Sequence, residues 1–209
     1  MAAGFAALIV WGFFVHPQVP LSPIPKYVAL AVFMTTAVLV LAVAGRRAGW
    51  KAADYLALAL PKPHHALSSC ASLTAFWMLV AALQYVFPSL DQSNVMTSEY
   101  AAAMNSVTGL LLYWLTAVVT APIAEEIVFR GFLFRGWSES RIGAVGALML
   151  TSLIFASAHR QYNLFGMIEV FGLGLVLGLV RWRSGSTALA ILMHAAWNLA
   201  AVAIVALSV

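Results

Sequence analysis

A chain of 209 residues that is 63% apolar and 9% charged, with a mean hydropathy of +0.95, has too little polar side chain to clothe a soluble domain. Its solvent is a bilayer, with no room left for a separate soluble domain. The net charge of +4 comes from bases scattered at the ends of apolar runs, which read as topology signals rather than as a nucleic-acid surface, and the single cysteine, Cys70, excludes an internal disulfide.

Hydropathy predicts an all-α, polytopic bundle of about seven spans, near 2–15, 27–45, 67–87, 107–136, 142–159, 164–181 and 186–208, with the functional site buried between helices. The first run follows Met1-Ala2-Ala3-Gly4 without the basic flank of a signal peptide, so it is expected to be a retained membrane segment. The stretch after the second run carries Arg46, Arg47, Lys51 and Lys62 against Asp54, whereas the stretch after the third carries Asp91 and Glu99 and no base. The positive-inside rule makes the former cytoplasmic, and alternation puts Arg135, Arg141, Arg181 and Arg183 on the same side. Trp50, Trp137 and Trp182 stand beside these bases, while Tyr27, Tyr85, Tyr100 and Tyr162 fall near the opposite ends, giving an N-in, C-out expectation. His64 and His65 lie in the basic loop between prolines with no carboxylate close in sequence, so a metal role is not expected there. Gly174 and Gly178 make a small-residue face that permits a close helix neighbour.

Ionisable groups inside a bilayer cost about 2.5–3.5 kcal/mol each on insertion scales, so those that remain are functional candidates. They are Glu125 and Glu126 with Arg130, His159, Glu169, and His194 with Asn198. At ~1.5 Å per residue from the basic end, Glu125 lies roughly 18 Å deep, His194 roughly 12 Å, Asn198 roughly 18 Å and His159 roughly 26 Å. Boundary error and tilt bring such groups within reach of one another near mid-membrane. His194 and Asn198, four apart, project from one helical face, and Glu126 stands four residues before Arg130, which leaves Glu125 free to face a cavity. A carboxylate, two imidazoles and an amide suit peptide hydrolysis, which needs a base for water and donors for an oxyanion. No phosphate-binding glycine loop, serine elbow or helical HExxH pattern is present. Against this stand plainer roles: helix-to-helix hydrogen bonds for the His and Asn residues, and a register-fixing ion-pair cluster for Glu125, Glu126 and Arg130. Glu169 fits no motif and reads as structural or channel-lining.

Three patterns occur in order on successive apolar runs: Glu125-Glu126-Ile127-Val128-Phe129-Arg130 as EExxxR, Phe155-Ala156-Ser157-Ala158-His159 as FxxxH, and His194-Ala195-Ala196-Trp197-Asn198 as HxxxN. Together they resemble the CPBP (Abi) family of CAAX proteases and bacteriocin-processing enzymes, which includes the type II CAAX prenyl endopeptidases. The resemblance covers roughly 120–200 and divides the chain into N-terminal transmembrane helices, 1–105, and a catalytic helical core, 106–209. It implies that Glu125 is the general base, that His159 holds the attacking water, that His194 and Asn198 stabilise the oxyanion, and that Glu126 and Arg130 are supporting residues.

The expected activity is endoproteolysis of a membrane-associated or lipid-modified polypeptide, with no cofactor. A zinc-dependent version stays open, because the family is described both as metallo- and as glutamate-type, and Glu125, His159 and His194 offer a three-ligand set with an open fourth position. From other classes come a non-enzymatic immunity or partner protein and a small transporter relaying protons through the buried Glu and His residues.

Overall fold

The structure is a computed structural model, and it describes residues 23–47, 49, 51–90 and 93–209. The predicted run 2–15 lies outside the described residues. Among the described residues there are eight helices and no strand: α1 Pro23–Arg47, α2 Ala52–Tyr55, α3 Pro63–Val86, α4 Ser93–Ala103, α5 Val107–Ser138, α6 Gly143–Ser157, α7 Leu164–Ser184 and α8 Thr187–Ser208.

Local chemistry sets these ends. Pro63 opens α3, where its missing N–H is no loss. Ser106 accepts from Gly109 N at the start of α5, Asn163 accepts from Phe165 N and Gly166 N at the start of α7, and Ser186 accepts from Leu189 N at the start of α8. Gly185, at φ +67°, turns the chain out of α7 in the left-handed conformation that a side chain would strain.

Five helices, α1, α3, α5, α7 and α8, are long and apolar enough to cross a membrane, so the chain is an integral membrane protein. The predicted fifth span is the shorter α6, whose 15 residues extend about 22 Å, less than the ~30 Å hydrocarbon core. It packs closely on α7: a Cβ on Gly174 would lie 3.1 Å from Ser152 Cβ, and one on Gly178 would run into Leu148 Cδ1. The expected small-residue contact is therefore between α6 and α7, where backbones must approach closely to gain packing that lipid cannot supply.

The predicted basic clusters meet at one end of the bundle. Arg135 Nη1 donates to the carbonyls of Asp54 and Tyr55, Thr187 N donates to Ala57 O, and Ser186 Oγ donates to Ala59 O. At the other end Lys26 pairs with Glu99, and Tyr113 makes edge-to-face contacts with Tyr27 and Tyr100, each at 5.6 Å between centroids. Between the ends, Met34 and Leu41 of α1 pack with Ile127, Val128, Phe129 and Leu133 of α5 and with Phe155 of α6.

Candidate active site

The long helix α5 is not uniformly α-helical. It passes through π-helical turns at Leu115–Thr120 and Ile127–Leu133, with the α-helical stretch Ala121–Glu126 between them. Pro122 supplies the reason for the first. It has no N–H, and its ring cannot sit against a preceding α-helical turn without adjustment. In the wider register Ala121 N donates to Thr116 O, so the carbonyl of Ala117 would look to position 122, where proline has nothing to give. Asn198 fills that vacancy: its Nδ2 donates to Ala117 O at 2.8 Å.

One turn earlier on α8, buried His194 stands between the two glutamates. Its Nδ1 is 2.9 Å from Glu126 Oε1, and its Nε2 is 3.8 Å from Glu125 Oε2. A carboxylate only accepts, so Nδ1 carries the proton given to Glu126 and Nε2 is the atom left facing Glu125. The 3.8 Å gap is too long for a direct hydrogen bond, yet a single water can touch both atoms.

Glu126 is held from a second side. Arg130 Nη1 donates to its Oε1 at 2.8 Å, with both side chains wholly buried, and Arg130 Nη2 donates to Gly174 O on α7 at 3.1 Å. The guanidinium carbon also lies 4.5 Å from the Phe155 ring centroid, so an aromatic face covers part of the charge. The expected Glu126–Arg130 pair is thus present, and it anchors α5 to α7 as well as orienting His194. Glu126 carries both of these contacts, whereas among the described residues the ion partner nearest to Glu125 is the more distant Nε2 of the same imidazole.

His159 lies just past the end of α6, in the turn to α7. Its Nδ1 donates to Phe155 O at 2.8 Å, which leaves Nε2 as an acceptor when the ring is neutral. Phe155 separates the imidazoles, with its centroid 4.7 Å from that of His159 and 5.8 Å from that of His194. Tyr162 stacks on His159, the rings 9° from parallel at 6.4 Å. Burial, then the carboxylates of Glu99, Glu169 and Glu125, push the Tyr162 phenol up to about 12, so it stays a neutral donor.

The structure therefore brings Glu125, Glu126, Arg130 and His194 into one buried cluster, sets Asn198 one turn along, and places His159 across Phe155. Sequence reasoning gave no part to the Phe155 ring, the Gly174 carbonyl or the Ala117 carbonyl. Two of these are backbone atoms, invisible to a reading of side chains; only Pro122, next to the paired glutamates, could have signalled an orphaned carbonyl. Among the described residues, no three His, Cys, Asp or Glu side chains are arranged as a metal-holding group.

A buried Glu-Glu-Arg strut on one membrane helix, answered by a His–Asn face on another, defines a buried polar site inside a helical bundle. Residues 107–200 match the family model of the Rce1-like type II CAAX prenyl endopeptidases, which is the family read from the three motifs. A protein of Escherichia coli described as an uncharacterized 24.3 kDa protein is 38% identical over 109 residues, 51% of this chain and 49% of that protein. The chain thus spans about half the length of the curated relative it matches. No solved structure matches.

Proposed function

We propose that the chain is an intramembrane endopeptidase that hydrolyses a peptide bond in a membrane-associated or lipid-modified polypeptide. The observation that carries this reading is the unequal treatment of two adjacent glutamates. Glu126 is tied to Arg130 and His194, while Glu125 faces His194 Nε2 across a gap that a water can bridge. In the proposed reaction Glu125 takes a proton from a water oriented by His159 Nε2. The resulting hydroxide attacks the carbonyl carbon. His194, when protonated, and the second N–H of the Asn198 amide donate to the oxyanion. As the tetrahedral intermediate collapses, the proton on Glu125 passes to the leaving nitrogen and the C–N bond breaks.

Comparing the membrane proteomes of cells with the wild-type chain, with Glu125→Gln and with neither tests this directly. A new peptide terminus that depends on the wild-type chain and vanishes with Glu125→Gln is expected. A phenotype that survives Glu125→Gln would indicate a binding protein, and a proton-coupled flux would indicate a transporter. The reaction is proposed without a metal; activity that is lost on chelation and restored by zinc, with about one zinc per chain, would overturn that. The basic end is proposed to be cytoplasmic. A cysteine at Ala53, in a Cys70→Ala background, should resist thiol reagents that cannot enter intact cells, and ready labelling would invert the topology.

A further inference from the structure

Among the described residues, the basic end holds a cation with no anion. Arg181, near the C-terminal end of α7, is 8% exposed, yet its Nε has no hydrogen-bond partner, and no ion pair or hydrogen bond engages its side chain among the described residues. The guanidinium carbon sits 5.8 Å from the Phe134 ring centroid, a long cation–π contact that meets only part of the charge. The acids at this end do not answer it. Glu139 is taken by Arg135, and the remaining acid there is Asp54, while Arg46, Lys51, Lys62, Arg135, Arg141 and Arg183 stand at the same end.

A buried guanidinium is costly unless its charge is met, and five N–H donors in a planar fork suit an oxyanion with several acceptors. A second orphan lies at the adjoining turn. Thr187, the first residue of the 22-residue α8, is wholly buried, and its Oγ1 has no partner, although its backbone N–H is spent on Ala57 O.

We propose that Arg181, with the Thr187 hydroxyl, binds the phosphate of an anionic phospholipid headgroup. The place favours a lipid over a soluble anion. Arg181 ends a membrane-crossing helix, its neighbour Trp182 is exposed as an interfacial indole is, and the surrounding bases concentrate acidic lipids at that surface. The lipid would lock the α7–α8 turn to the segment carrying Ala57 and Ala59, and so brace the two helices that hold Gly174 and His194. The proposal is independent of the hydrolytic reading, since it concerns the opposite end of α7 from the Tyr162 turn.

The test is thermal stability in a mild detergent with added phosphatidylglycerol, phosphatidylcholine or inorganic phosphate, for wild type, Arg181→Met, Thr187→Val and the exposed control Arg183→Gln. Phosphatidylglycerol should raise the melting temperature of wild type and Arg183→Gln by roughly 5–10 °C at saturating lipid. That shift should be absent in Arg181→Met and reduced in Thr187→Val. An equal shift with phosphatidylcholine, or an undiminished shift in Arg181→Met, would overturn the site. Inorganic phosphate reproducing the whole shift at millimolar concentration would overturn the lipid as occupant. Should Arg181→Met fail to fold, native mass spectrometry of the wild type decides: preferential retention of one phosphatidylglycerol supports the site, and no preference over phosphatidylcholine refutes it.

Discussion

The helices α3 and α7 differ little in length and apolarity, yet they occupy opposite situations. Of the 24 residues of α3 only Ser69 is buried, whereas seven of the 21 in α7 are, including Gly174, Gly178 and Arg181. In lipid, apolar side chains gain nothing by leaving one hydrocarbon surrounding for another, so what separates the two is close backbone approach and hydrogen bonding. The α7 helix has both: glycines that admit α6 and a carbonyl that takes a hydrogen bond from Arg130. The α3 helix meets the rest chiefly through Phe76, which packs 5.4 Å from Trp197, and through Leu73 and Ala66. The difference separates a polar scaffold around the site from a lipid-facing flank, and each expected outcome below tests that division.

The largest effect is expected at Glu125. Replacement by Gln keeps shape but removes the proton acceptor, so a folded, inserted protein should show no detectable cleavage, with melting temperature close to wild type. Wild-type turnover in Glu125→Gln would end its assignment as base. Next come the strut residues. Arg130→Gln strips a buried carboxylate and the Gly174 carbonyl of their partner, a change that typically costs about 3–5 kcal/mol when a buried pair is broken. Glu126→Gln should lower the melting temperature as well, while keeping measurable turnover. The double variant should fall short of the sum, because both remove the same bond. Full additivity by thermal melts would show that the pair does not act as a unit.

Much of this was legible beforehand, and the reasons are specific. Apolar runs reported the spans because a bilayer forces continuous hydrocarbon contact, and Glu126 four residues before Arg130 reported their pair because helix geometry leaves little choice. The run 142–159 reported α6, which spans Gly143–Ser157, but apolarity alone could not show that this helix is pressed against α7 along its glycines. The link of His194 to Glu126 rather than to Glu125 was not legible at all. It depends on the rotation of α8 against α5, and part of that rotation is set by the π-helical turn that Pro122 provokes.

Asn198 is the third test, because its amide has a structural task as well as a proposed chemical one. Asn198→Ala would orphan Ala117 O, at a cost of about 1–3 kcal/mol, and would remove an oxyanion donor worth about 10²–10³ in rate. Pro122→Ala separates the two tasks by returning a backbone N–H at the position from which Ala117 O lacks one. In the Pro122→Ala, Asn198→Ala double variant, melting temperature should recover toward that of Pro122→Ala alone, while kcat stays depressed. Recovery of kcat together with stability would make Asn198 a clamp on α5 and remove it from the reaction.

The smallest and sharpest contrast lies within α7, at two glycines about 200° apart around the helix. Gly174 faces α6: an added Cβ would stand 3.1 Å from Ser152 Cβ and 3.2 Å from its Cα, and backbone cannot step aside without moving the helix. Gly174 also offers the carbonyl that holds Arg130, so shifting α7 loosens the strut. Gly172 faces α3, where the added Cβ would lie 2.8 Å from the Cε2 and Cζ atoms of the Phe76 ring. That ring ends a side chain on the lipid-facing flank and can swing away. Overpacking typically costs about 1–3 kcal/mol, while Ala in place of Gly returns roughly 0.5–1 kcal/mol of helix propensity. Gly174→Ala should therefore lower both melting temperature and cleavage rate. Gly172→Ala should leave cleavage unchanged, with a melting temperature within a few degrees of wild type, its clash largely offset by propensity. Equal loss of activity in the two variants would mean that α3 is as tightly coupled to the site as α6, and the division between scaffold and flank would fall.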